Sequence, residues 1–135
     1  MILVDTSAWV EFDRATGSTV DEALTGLIAD QGPIAVTEPI VMEVCAGART
    51  AFRETELRRL LHRFHLARFD AAADFNAAVT TYRACRRAGI TPRGLIDCMI
   101  VSVALRGGHE VLAWDRDLAN VARVTGLRLH RASLS

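Results

Sequence analysis

The sequence predicts an α/β fold built on a mainly parallel sheet. Short apolar runs rich in β-formers (MILV at 1–4, IAV at 34–36, VLA at 111–113) alternate with longer stretches of helical periodicity. One of those stretches, LIDCMIVSVAL at 95–105, is apolar nearly all round, the pattern of a helix buried against a sheet. The 135 residues, half of them hydrophobic, suffice to bury a core, and no linker, repeat or low-complexity tract divides them. One domain over residues 1–135 is therefore expected.

The elements follow in order. Met1–Val4 reads as the first strand, and a helix runs from Ser7 to about Phe12. A second helix, Ser18 to Asp30, carries Leu24, Leu27 and Ile28 on one face and is stopped by Gly32 and Pro33. Ile34–Val36 gives a second strand. Thr37, Glu38 and Pro39 then open a helix, with proline in the first turn where its missing N–H costs nothing. Arg53 to about His65 is amphipathic, with Leu57, Leu60, Leu61 and Phe64 inward and Glu54 four residues before Arg58. Leu66–Phe69 reads as a short strand. Asp70 caps an Ala-rich helix that runs to Ala88 and ends at Gly89. After GITPRG comes the apolar helix, closed by Gly107 and Gly108. Val111–Ala113 is a further strand, Asp117–Thr125 the last helix, and Leu127–Leu129 a final strand at the edge.

Composition excludes several classes. No segment reaches the roughly 18 to 20 unbroken apolar residues of a membrane span. Met1 leads straight into a strand-like run with no basic n-region, so no secretory signal is expected and the chain is placed in the cytoplasm. Cys45, Cys85 and Cys98 are odd in number and free of CxxC spacing, which argues for buried reduced thiols over disulfides or a zinc knuckle. Sixteen basic residues balance sixteen acidic ones, without the surplus expected of a general nucleic-acid binder. Every basic residue is arginine, the side chain best shaped for bidentate phosphate or carboxylate contacts.

Four acids occupy related positions. Asp5 follows the first strand and Asp115 follows the strand at 111–113, and ligands collect beyond the carboxyl ends of strands in doubly wound sheets. Glu43 lies about a turn into the helix opening at Pro39, and helical side chains lean back toward the N-terminus. Asp97 lies in the first turn after Gly94. Each acid also has a plainer reading: Asp5 as a helix N-cap, Glu43 as a first-turn acid favoured by the helix dipole, Asp115 and Asp117 as a turn and an N-cap. Asp97 resists such a reading best, because Leu95, Ile96, Met99, Ile100 and Val101 surround it and Arg93 is its one nearby cation in sequence.

Carboxylates gathered near one point repel one another and raise each other's pKa unless a cation neutralises them. With no lysine in the chain and no histidine or cysteine in ligand spacing, a hard divalent ion with oxygen ligands fits, Mg²⁺ or Mn²⁺ rather than zinc. Such a site suits phosphodiester hydrolysis.

The motifs that carry these acids, VDTSAWV at 4–10, EPIVMEV at 38–44, GLIDCMIVSVA at 94–104 and LAWDRDLANVA at 112–122, resemble those of a PIN-domain ribonuclease, specifically the toxin of a VapB/VapC-type toxin–antitoxin pair. They stand in the family's order and spacing over the whole chain. The resemblance implies a three-layer α/β/α architecture with a four- to five-stranded, mainly parallel sheet. It implies Asp5, Glu43, Asp97 and Asp115 as the catalytic, metal-binding set, with Asp117 as a further, less constant acid. Thr6 or Ser7 would hold Asp5, or a water on the metal, by hydrogen bond. The implied activity is Mg²⁺- or Mn²⁺-dependent endoribonuclease cleavage of tRNA or rRNA that shuts down translation. A homodimer is implied too, inhibited by a cognate VapB-type antitoxin whose C-terminal segment can send an arginine into the acidic site. Trp114 stands where many relatives carry Thr or Asn, which leaves the hydrogen bonding around Asp115 open.

Arg14, Arg49, Arg93 and Arg116 fall near loop ends beside the acids, where they read either as grips for substrate phosphates or as solvated charge. Trp9 and Phe12 read as an antitoxin groove or as core, and His62 and His65 as surface or packing residues. A receiver-type phosphoacceptor and a P-loop both need a lysine, and a dehalogenase-like phosphatase needs DxDxT where this chain has DTSAW. The remaining alternative is a non-catalytic module that binds RNA or a partner; its mark would be a missing acid, and all four are present.

Overall fold

The structure is a computed structural model and describes residues 1–134. Its sheet has four parallel strands, β1 (Ile2–Val4), β2 (Ile34–Val36), β3 (His65–Leu66) and β4 (Glu110–Leu112), in the order β3-β2-β1-β4. Parallel neighbours need long crossovers, and each crossover here is a pair of helices. α1 (Thr6–Asp13) and α2 (Thr19–Ala29) join β1 to β2, and α3 (Glu38–Ala46) and α4 (Ala51–Leu61) join β2 to β3. α5 (Ala71–Arg87) and α6 (Leu95–Gly107) carry the chain back past β1 to lay down β4, and α7 (Arg116–Thr125) follows. The strand order therefore reverses between β1 and β4, where such sheets open a crevice at their carboxyl ends.

Every residue of β1 and β2 is buried, although successive side chains point to opposite faces. Both faces of the sheet centre are thus covered by helices, as the three-layer expectation requires. The all-round apolar pattern at 95–105 has the predicted meaning, since Cys98 and Ile100 through Ala104 of α6 are all buried. Ser102, the one polar group in that run, donates to the Cys98 carbonyl at 2.7 Å. Gly108 ends α6 in the left-handed region (φ 67°), which turns the chain directly into β4.

An ion pair between a buried carboxylate and a partly exposed arginine fastens the longest helix to the central one. Arg106 at the end of α6 donates to both carboxylate oxygens of Asp74 on α5, at 3.0 and 2.8 Å, and to the Arg68 carbonyl at 2.7 Å. The Asp74 side chain is 1% exposed. The arginine beside it holds the Asp74 carboxyl below the usual carboxylate range.

Several expectations need correcting. Leu127–Leu129 forms no strand: one bridge joins Leu129 to Val111, and a turn closed by the Ser133 N–H on the His130 carbonyl interrupts the ladder before the Leu134 N–H returns to the Ala113 carbonyl at 3.0 Å. α4 spans Ala51–Leu61 instead of Arg53 to His65, because Thr50 caps its start and the chain leaves the helix at His62 to bring Phe64 against Trp9. β3 accordingly begins at His65, earlier than the 66–69 reading. α7 is capped by Asp115, not Asp117. Trp9, 2% exposed, belongs to the core, with Phe12 packed partly against it. The three cysteines are buried free thiols, and His62 and His65 are exposed. Among the described residues no helix is long and apolar enough to cross a membrane.

Candidate active site

Asp5 leaves β1 at the crevice. Its backbone N–H donates to the Leu112 carbonyl of β4 at 2.9 Å, and its carbonyl accepts the first helical hydrogen bonds of α1. One carboxylate oxygen, Oδ2, caps α1 by accepting from the Ser7 N–H (3.1 Å) and the Ser7 hydroxyl (2.6 Å). That hydroxyl accepts in turn from the Trp114 N–H at 2.8 Å, so a single Oγ ties the end of β1 to the end of β4. The other oxygen of Asp5, Oδ1, is buried with no hydrogen-bond partner. The capping role and a ligand role thus use different atoms of one side chain.

Burial raises the Asp5 carboxyl above its ordinary value against the opposing Ser7 contacts, and Glu43 and Asp115 push it further. Glu43, on α3, has Oε1 held by the Thr6 hydroxyl at 2.8 Å. Of the two hydroxyls considered for Asp5, Ser7 takes that part and Thr6 takes Glu43.

Asp97 lies in the first turn of α6 behind Gly94. Burial, followed by the charges of Asp5, Asp115, Asp117 and Glu43, raises its carboxyl to about 7. Asp97 therefore lies within electrostatic reach of the other four acids. Four separate chain segments deliver the five to the crevice.

Asp115 caps α7 by accepting the Asp117 N–H at Oδ1 (2.9 Å). The Trp114 question resolves through the backbone, because the Trp114 N–H, not its side chain, connects this strand end to Ser7. Arg93 reaches Asp115 from the loop before α6, its Nη2 lying 2.7 and 2.8 Å from the two carboxylate oxygens. The Arg93 N–H donates to Asp117 Oδ2 at 3.0 Å, with Nε 3.8 Å from that oxygen. Arg93 was the cation nearest Asp97 in sequence, yet the fold directs it to Asp115 and Asp117.

Arg14 and Arg49 line a groove of about 530 Å³ between α1, α3 and the start of α4, whose inner end carries Thr6 and Glu43. Arg116 is exposed on the first turn of α7. A larger groove, about 680 Å³, runs between α3, α4 and β3 past Met42, Cys45 and Leu61 and contains none of the five acids.

As the side chains stand, no three of the His, Cys, Asp or Glu residues among those described are arranged to hold one ion together. Arg93 occupies Asp115 and Thr6 holds Glu43. The donor set nevertheless suits a hard divalent cation: it is all carboxylate, Asp5 offers a buried unpartnered oxygen, and Asp97 carries the repulsion of four neighbours. One guanidinium leaves most of that negative charge uncompensated. The backbone N–H of Trp114 is a positioning group that sequence reading did not name, and nothing in side-chain identity signals it.

Comparison with known proteins identifies the family. The PIN domain family profile matches residues 2–124. "VapC ribonuclease Mb1587" of Mycobacterium bovis and "Ribonuclease VapC11" of Mycobacterium tuberculosis are each 43% identical over 129 residues, covering 95% of this chain and 96% of theirs. The toxin–antitoxin structure of VapBC2 from Rickettsia felis, bound to a DNA fragment from its promoter, contains a chain that superposes with a TM-score of 0.75 at 18% identity, over all of both chains. That likeness is one of fold, and the family assignment rests on the profile and the mycobacterial relatives. The chain belongs to the PIN-domain family and, within it, to the VapC ribonucleases.

Proposed function

We propose that this chain is a divalent-metal-dependent endoribonuclease toxin that cuts tRNA or rRNA and so arrests translation, and that a cognate VapB-type antitoxin neutralises it. The observation that carries the reading is the meeting of Asp5, Glu43, Asp97, Asp115 and Asp117 in the β1/β4 crevice, with a buried carboxylate oxygen lacking any donor. The ribonuclease names of the 43%-identical relatives support the activity, and the VapBC complex from Rickettsia felis supports the partner.

In this reading Asp5, Asp97 and Asp115 hold Mg²⁺ or Mn²⁺, with Glu43 and Asp117 completing the acidic wall. A divalent ion bound there would activate water, fix the in-line geometry and absorb charge on the phosphate oxygens. The protein's own groups supply the rest. Ser7 fixes the rotamer of Asp5, and Thr6 fixes that of Glu43. Arg14 and Arg49 face the groove that leads to Glu43 and are placed to grip backbone phosphates, with Arg93 and Arg116 on the α6 and α7 side. The toxin is further proposed to act as a homodimer in the cytoplasm.

The test is a cleavage assay on total tRNA and rRNA with antitoxin-free protein, comparing Mg²⁺ or Mn²⁺ with chelator and wild type with Asp97→Asn. Metal-dependent products ending in 5′-phosphate are expected, abolished by the substitution. Metal-dependent cleavage that persists in Asp97→Asn would count against the site. No cleavage of any RNA by folded wild type would favour a non-catalytic binding module.

A further inference from the structure

We propose that Arg93 is an internal counter-cation of the acidic crevice, which a divalent ion must displace from Asp115 before it can be held. The inference rests on the metal-centre reading above and adds a competitor built into the same chain. Both oxygens of Asp115 face the Arg93 Nη2, at 2.7 and 2.8 Å, and Oδ1 also accepts the Asp117 N–H at 2.9 Å. Oδ1 then has both acceptor directions used, and an ion taking the remaining direction of Oδ2 would stand directly against the guanidinium, so the two cations compete for Asp115.

The exposures show which partner moves. The Arg93 side chain is 73% exposed, whereas Asp115 and Asp117 are 18% and 14% exposed. The carboxylates are walled in and the guanidinium reaches them from outside. Its release costs little packing, and an ion pair with so exposed a partner is weak enough to exchange. The Arg93 N–H remains tethered to Asp117 Oδ2 at 3.0 Å, so the arginine can leave Asp115 without the loop leaving the site. Asp5 and Asp97 receive no arginine, so the crevice keeps a negative field that draws in a divalent ion. The geometry thus sets metal affinity below what the carboxylates alone would give, while masking part of their repulsion when no ion is bound.

Mn²⁺ titration by calorimetry, without RNA, tests this on antitoxin-free wild type, Arg93→Gln, Arg93→Lys and, as a control for net charge, Arg83→Gln on the exposed side of α5. Arg93→Gln is expected to bind Mn²⁺ about two- to fivefold more tightly than wild type, the scale of one exposed ion pair removed. Arg93→Lys should fall between the two, and Arg83→Gln should match wild type. Thermal unfolding gives a second readout: Arg93→Gln should melt below wild type in chelator and gain more from Mn²⁺. A residue with a merely structural role would lower both melting points together and leave or weaken the affinity. Equal or weaker Mn²⁺ binding by Arg93→Gln, with wild type binding normally, overturns the role of Arg93 alone. Absence of Mn²⁺ binding in every folded variant overturns the metal centre as well.

Discussion

A single hydroxyl sets the spacing of two of the acids. Ser7 Oγ donates to Asp5 and accepts from the Trp114 N–H, so it locks the β1 and β4 ends in the relation that brings Asp5 and Asp115 together. Ser7→Ala leaves the Trp114 N–H without its acceptor and Asp5 Oδ2 with the Ser7 N–H alone, and is expected to lower stability by about 1–2 kcal/mol in urea unfolding. Because it also frees a carboxylate that would face the metal, Mn²⁺ affinity should drop about tenfold. Asp97→Asn acts in the opposite sense on the metal-free chain. Above about pH 8, where the Asp97 carboxyl is ionised, it removes a charge that the four other acids repel, and a rise in Tm of about 4 °C in chelator is expected, alongside the loss of cleavage. The acids themselves were legible in the sequence because Asp5 and Asp115 follow strands, Asp97 stands in a first helical turn and Glu43 one turn into its helix, places that connectivity directs to one rim. Their partners were not. Thr6 meets Glu43 across 37 positions and Arg93 meets Asp115 across 22, and no local rule selects one hydroxyl or one arginine over its neighbours.

At the scale of elements, helix starts and stops followed residue chemistry closely where a cap was recognised and drifted where it was not. Asp70 caps α5 as expected, whereas Ser18, read as the first residue of its helix, caps α2, and Thr50, unread as a cap, moves the start of α4 from Arg53 to Ala51. The start of α7 illustrates the difficulty, since Asp115 and Asp117 can each serve as a cap by residue type and only the Asp117 N–H contact decides between them. The strand expected at 127–129 failed because an apolar L-x-L pattern does not reveal whether an edge ladder continues past its first bridge. The latch of α6 onto α5 was not legible either. Asp74→Asn should cost about 2–3 kcal/mol at pH 7, since it removes the charged partner of Arg106 within a buried contact. The sign of its pH dependence follows from a carboxyl held below its unfolded value. The stabilisation is complete above the unfolded aspartate pKa near 4 and is lost as pH falls through the lower folded value. The difference in unfolding free energy between wild type and Asp74→Asn should therefore shrink below about pH 4. A difference that stays constant from pH 7 to pH 3 would contradict the ion pair.

For the whole molecule, the strand order β3-β2-β1-β4 does the decisive work, because it places the chain reversal, and with it the crevice, between the two strands that end in Asp5 and Asp115. A site of this kind stabilises the fold only through the ion it holds. Saturating Mn²⁺ should raise stability by about 2.7 kcal/mol at a hundred times the dissociation constant, reversibly by chelator, and the gain should vanish in Asp97→Asn. The most direct test of the central claim is anomalous diffraction from crystals of the chain grown or soaked with Mn²⁺. A Mn²⁺ peak bounded by Asp5, Asp97 and Asp115, with the Arg93 guanidinium withdrawn from Asp115, is the expected result. A saturated crystal with no peak in the β1/β4 crevice, and Arg93 still seated on Asp115, would contradict it.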